Sequence, residues 1–331
     1  MKIGLLGFAS NSGLGTLTRE FFDNLPIEKT LIIPSKYQDF PDRFPAARIG
    51  LTQENVDWFL DGIDVLLSFE TPKEWAIFQL ARKRGVKTVL MPMYECMPQP
   101  LPVVPTAVLC PSLLDQRIFS SELRGKCIVQ HIPVPVNRNR VKYRQRSTAN
   151  VFEFHGGHGG LYGRNGLTDL LAAIPMVQSD AKFLIYSQKQ LAFEHPKVEV
   201  RVGNYEDYWD IWGEGDVFIF PHRFDGLSLP IQEALSSGMP VLATAFYPFT
   251  KMLPMDWLFQ PEESTKLRVF QREIDVFFPS PTEIATKIDE WAGTKIAADS
   301  AHADDIAEKI SWDNLRKSYL DFFETVCNTQ S

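Results

Sequence analysis

Residues 216–244 read DVFIFPHRFDGLSLPIQEALSSGMPVLAT. An apolar run ends at Pro221, and a polar loop holding Asp225 and Gly226 follows. From Pro230 the pattern turns helical, stops at Gly238, and PVLAT opens a second apolar run. Proline at a helix start and glycine just past its end are the expected punctuation. The stretch predicts strand, loop, helix, strand, the repeating unit of a parallel α/β sheet. A loop feeding a helix N-terminus aims free backbone N–H groups and the positive end of the helix dipole at what lies before it, which favours an anion. Asp225 on the loop and Glu233 one turn into the helix flank that place, and carboxylates accept hydrogen bonds from hydroxyl groups. An ordinary strand–loop–helix unit with capping acids has the same outline.

The rhythm continues in both directions. Upstream, KIGLLGF, TLIIP, DVLLSFE, KTVLMP and TAVLCPS read as strands, and GLGTLTREFFDNL, NVDWFLDGI and EWAIFQLARKRG as the helices among them. After residue 149, NVFEFHGG, AKFLIYSQ and VEVRVG are strands and GLTDLLAAIPMV a helix, so the pattern restarts. A chain of 331 residues exceeds one ordinary core. Two doubly wound domains facing a cleft are expected, residues 1–136 and 137–300, with helices from 301–331 packing back across the junction. Between the two halves, PVPVNRNRVKYRQRS sets Arg138, Arg140, Lys142, Arg144 and Arg146 on alternate positions. An extended backbone would point all five one way. They are then a solvated, charge-guarded edge or an anion-facing patch.

A net charge of −7 argues against a chain-wide grip on nucleic acid or an anionic membrane. No apolar run nears the roughly 20 residues that span a bilayer. MKIGLLGFAS reads as a first strand rather than a leader. The four cysteines form no CxxC pair, so a reducing, cytoplasmic setting is expected.

HGGHGGLYGRNG, residues 155–166, raises a choice between a metal site and a phosphate cradle. Two histidines lack the further ligands that a closed metal site wants. Glycines let a backbone approach an oxyanion closely, and Arg164 can pair with phosphate in a two-pronged way.

The 225–241 stretch resembles the paired-acid motif of retaining GT-B glycosyltransferases of the family 4-like group. The matching residues are Asp225-Gly226-Leu227-Ser228-Leu229-Pro230, Glu233-Ala234 and Gly238-Met239-Pro240-Val241. Asp225 stands where the family has Glu, and Ser228 where it has a second Gly. NSGLGTLTREF, AVLCPS, IPVPVN and ISWDNLRKSYLDFF, with Trp312, resemble further family segments in the same order. The resemblance implies a metal-independent transfer of sugar from a nucleotide-diphosphate donor, without cofactor, to a glycan or small-molecule hydroxyl. It makes Asp225 and Arg164 the catalytic pair. Donor contacts fall to Gly13, Gly15, Gly157, His158, Gly159, Gly226, Leu227, Ser228 and Glu233. Tyr94 and Glu95 are acceptor-side candidates, because they stand where the family often carries a histidine. Two alternatives stay open: a transferase acting on a modified DNA base, which the basic ladder motivates, and a non-catalytic sugar-nucleotide-binding protein.

Overall fold

The structure, a computed structural model, describes residues 1–36, 39–157, 163–205, 207–269 and 272–329. The chain forms two compact units: Met1–Pro135 with Phe270–Arg272 and Trp312–Ser331, and Val136–Val269 with Glu273–Ser311.

The first unit holds strands β1 (Ile3–Gly7), β2 (Ile27–Ile32), β3 (Arg48–Ile49), β4 (Val65–Phe69), β5 (Lys87–Met91), β6 (Ala107–Cys110) and β7 (Ile128–His131). They form one parallel sheet in the order β3-β2-β1-β4-β5-β6-β7. β1 and β4 are buried along their whole length, as unbroken apolar strands covered on both faces must be. Helices α1 (Gly13–Asn24), α2 (Gln53–Leu60), α3 (Ala76–Lys83) and α4 (Leu113–Glu122) connect the strands.

In the second unit β8 (Val151–Gly157), β9 (Lys182–Ser187), β10 (Val198–Val202), β11 (Val217–Phe220), β12 (Val241–Thr244) and β13 (Leu258–Phe259) pair in the order β10-β9-β8-β11-β12-β13. All these pairings are parallel. β14 (Pro261–Val269) and β15 (Arg272–Pro279) make a separate two-stranded sheet that the sequence reading misses. Helices α5 (Leu167–Ala173), α6 (Leu229–Ser236), α7 (Phe249–Met252), α8 (Pro281–Trp291) and α9 (Ala297–Lys309) complete this unit. Its core is aromatic and aliphatic, with Phe152, Phe154, Trp212, Ile219 and Leu235 buried together.

The last helix, α10 (Trp312–Asn328), belongs to the first unit. Phe21 of α1 meets Phe69, Trp312 and Tyr319 edge to face at 5.0–5.2 Å. The Trp312 indole donates to Glu20, and the Tyr319 hydroxyl donates to the Pro133 carbonyl. Of the last two helices, α9 lies in one unit and α10 in the other.

The basic ladder does not form. Residues 138–140 turn, and no strand runs from 137 to 147. Arg138 pairs with Asp304 and Glu308 of α9. Arg140 lies over the Tyr208 ring at 4.5 Å. Arg144 donates to the carbonyls of Glu214 and Gly215, and Arg146 is 1 % exposed. Only Lys142 and Arg144 are exposed among the five. The alternation came from residue spacing alone, and a turn at its start removes the common face.

Candidate functional site

β8 and β11 are neighbours at the point where the strand order of the second unit reverses. Loops leaving the carboxyl ends of such a pair diverge to opposite faces, and ligands of open α/β sheets bind in the crevice between them. Both stretches that the sequence singles out start there, one after Gly157 and one after Phe220.

The two loops are fastened to each other. The Arg223 N–H donates to the Arg164 carbonyl at 2.8 Å. Gly166 has φ +64°, and a Cβ there would stand 1.9 Å from the Pro221 carbonyl oxygen, so only glycine lets the chain pass. The Arg223 guanidinium forks onto Asp169 of α5 at 2.7 and 2.8 Å, which ties the first turn of that helix to the second loop. Glycine at 166 therefore answers a neighbouring backbone. Gly157 ends β8 with φ +52° and open space where a Cβ would be. His158 and Gly159 lie outside the described residues. His155 belongs to the strand, not the loop: its Nε2 meets Glu153 at 2.7 Å and its ring packs 4.2 Å from Trp212.

Asp225 is 2 % exposed. Its Oδ2 accepts from His222 Nδ1 at 2.7 Å, while its Oδ1 is buried with no hydrogen-bond partner among the described residues. The His222 ring stacks on Phe220 with centroids 3.6 Å apart. Gly226 and Leu227 are buried in the same turn. Ser228 occupies the N-cap of α6, yet its side chain caps nothing. The Ser228 hydroxyl and Gln232 Oε1 are also buried without a partner among the described residues. Each such atom costs about 1–3 kcal/mol unless something meets it. Three of them lie between Asp225 and Gln232, at an uncapped helix start.

Glu233 is buried one turn into α6 and accepts from the Tyr208 hydroxyl. Burial and the adjoining Glu233 push the Tyr208 phenol well above its ordinary value, so it remains a donor. Burial pushes the His222 imidazole below its ordinary value; Asp225 pulls it up, and the charge of Arg164 adds to the downward push. The structure brings Asp225, Ser228 and Glu233 together around one helix start, and the Arg223 N–H to Arg164 carbonyl bond ties the Arg164 backbone to the loop before it. His222 and Tyr208 were not picked out from the sequence. His222 had a usable signal, an imidazole three residues before the loop acid; Tyr208 had none.

The direction of the His222 shift has a consequence for stability. In the unfolded chain this histidine titrates at its ordinary value, and in the folded protein lower. Below about pH 6.5 the unfolded state thus binds more protons, and stability present above that pH is lost as pH falls. His131, pushed down by its own burial, acts in the same sense. The melting temperature is expected to fall as pH is lowered from 7.5 to 5.5, and less so in His222→Asn; equal falls would remove His222 as a contributor.

In the first unit the order reverses between β1 and β4. Gly15 lies in the first turn of α1, where a Cβ would sit 1.8 Å from the Ser10 carbonyl oxygen, so the turn itself demands glycine. Gly13 opens the helix with empty space around it. Tyr94 and Glu95 follow β5 in a short helical turn and are 4 % and 1 % exposed. The Tyr94 N–H donates to Asp115 at 3.0 Å. At the end of β4, Glu70 holds a left-handed backbone, φ +50°, a feature invisible in the sequence.

Residues 156–266 match the family model for Glycosyl transferases group 1. No curated protein matches the chain in sequence. Among solved structures, a glycosyltransferase from Rickettsia africae is similar, with TM-score 0.70 and 12 % identity over 99 % of each chain. HepE from Anabaena, solved with UDP-glucose, gives TM-score 0.70 and 12 % identity over 98 % of this chain and 100 % of that one. Sucrose-phosphate synthase from Thermosynechococcus elongatus gives 0.67 and 11 % over 98 % and 99 %. The fold is that of GT-B glycosyltransferases, and the matched third of the chain, 156–266, holds Arg164, Asp225 and Glu233.

Proposed function

We propose that the chain is a retaining glycosyltransferase using a nucleotide-diphosphate sugar. The observation that carries this reading is the cluster of buried acceptors at the start of α6 without a partner among the described residues, Asp225 Oδ1 foremost, on a loop fastened to the Arg164 backbone. Asp225 holds hydroxyls of the transferred sugar, and Glu233 holds the nucleotide ribose. The bond between the sugar anomeric carbon and the phosphate oxygen breaks as the acceptor hydroxyl bonds to that carbon from the same face. The hydroxyl proton passes to the departing phosphate. Arg164 and the backbone N–H groups at 226–228 stabilise the charge on the leaving diphosphate, so the reaction needs no metal. A glycan or small molecule is the acceptor. The free cysteines support a reducing, cytoplasmic setting. Among the described residues no helix is long and apolar enough to cross a membrane.

A panel of nucleotide sugars, UDP-glucose first, tests the reading by thermal shift and by release of UDP, with and without EDTA. A stabilised protein that releases nucleotide in EDTA supports it; binding with no release by any donor favours the non-catalytic alternative. Arg164→Ala is expected to weaken UDP binding by about 1.5–3 kcal/mol, the scale of a hydrogen bond to a charged group. Calorimetry showing unchanged affinity removes Arg164 from the diphosphate site.

A further inference from the structure

We propose that His222 is a positioning residue for Asp225, fixing one carboxylate oxygen so that the other faces the donor sugar as a single directed acceptor. The inference rests on the transferase reading above and goes one step beyond it, to the residue that sets the geometry of the site.

The argument starts from the two oxygens of Asp225. Oδ2 is engaged by His222 Nδ1 at 2.7 Å, and Oδ1 is buried with no partner among the described residues. A carboxylate free to rotate would present either oxygen in turn. One held by a single strong donor cannot, and the cost of leaving Oδ1 bare is then met only when a hydroxyl arrives. Since a carboxylate oxygen accepts, the hydrogen of the neutral ring sits on Nδ1. The ring in turn has little freedom. It is three residues before Asp225 on the same loop, 8 % exposed, and stacked on Phe220 at 3.6 Å with 20° between planes. Phe220 is the last residue of β11, so the dyad is built directly on the sheet. That gives the site a rigid base on an otherwise irregular loop.

Three variants of the full chain separate positioning from mere packing. Asparagine places an amide N–H near the position of Nδ1, glutamine carries it to the position of Nε2, and phenylalanine keeps the stacked ring without a donor. His222→Asn is expected to retain turnover within about five-fold of wild type. His222→Gln and His222→Phe are expected to lose about 10- to 100-fold in kcat, less than the about 10²–10³ for removing a preorganised contact outright, because the Asp225 carboxylate itself remains. Affinity for UDP alone, measured by calorimetry, should stay within about three-fold in all three, because UDP lacks the sugar that Asp225 would hold. If His222→Phe does not fold, the contrast of Asn with Gln still decides. Equal kcat in the Asn and Gln variants overturns the proposal, as does joint loss of UDP affinity and turnover in all three. A wild type that releases nucleotide from no donor fails differently: it overturns the transferase reading, and this inference with it.

Discussion

Asp225→Asn is expected to lower turnover by about 100-fold or more while leaving UDP affinity nearly unchanged. The substitution conserves shape, so the effect comes from one atom. His222 Nδ1 needs an acceptor, and in the variant the amide oxygen must supply it. The amide nitrogen then takes the place of Oδ1, the buried atom without a partner among the described residues. An acceptor aimed at the sugar becomes a donor, and the negative charge facing the reacting sugar is gone. Removing one preorganised group where charge develops costs about 10²–10³ in rate, or about 2.7–4 kcal/mol. Steady-state release of UDP from the best donor, with calorimetry on UDP alone, checks both halves. Lost UDP affinity would move Asp225 to the nucleotide, and unchanged turnover would remove it from the reaction.

How much of this was legible depends on which kind of signal each element carried. Nine strands announce themselves as apolar runs bounded by Gly, Pro or Asp, because strands buried on both faces have no room for polar residues, while β10, VEVRV, is partly exposed and shows by alternation. β7 escapes that test: Ile128–His131 is partly exposed and half polar. β14 escapes it more fully, since its outer residues are charged and exposed and read as loop. α4 is different, for Ser112 caps it and Asp115 follows in the first turn, a start signal present in the sequence and passed over. At the site, Asp225, Ser228 and Glu233 were legible because loop and helix keep them close along the chain. Tyr208 reaches Glu233 from 25 residues away, and no local pattern reports such a pairing. Gly15 and Gly166 carry a reason for glycine that no local pattern reports. The structure gives each a neighbouring carbonyl that excludes a side chain.

Arg146→Met is expected to destabilise the second unit by about 4 kcal/mol or more, a fall of about 8–16 °C in melting temperature for a unit of this size. The guanidinium is buried and donates to four backbone carbonyls, those of Gly215, Ser237, Trp212 and Arg144. Burial pushes its titration down to about 10, with Glu153 and Asp216 opposing that fall. Methionine matches its length and none of its bonds. The carbonyls belong to the backbone, so no second substitution can remove the groups left unpaired, unlike a buried pair of side chains. Arg146→Lys should fail nearly as badly, because a tetrahedral ammonium cannot reach four acceptors spread around a planar fork. Denaturation followed by circular dichroism decides, and a loss under about 1 kcal/mol would mean that water satisfies those carbonyls. The same geometry bears on nucleic acid. Neutralising the five basic residues together would unfold the unit before it tested any contact, and Arg138 and Arg140 are already occupied by α9 and Tyr208. A DNA-facing role has only Lys142 and Arg144 to rest on. Changing those two alone, and titrating duplex DNA across a salt series, is therefore the fair trial: with two charges, the slope of log affinity on log salt should change by no more than about 2.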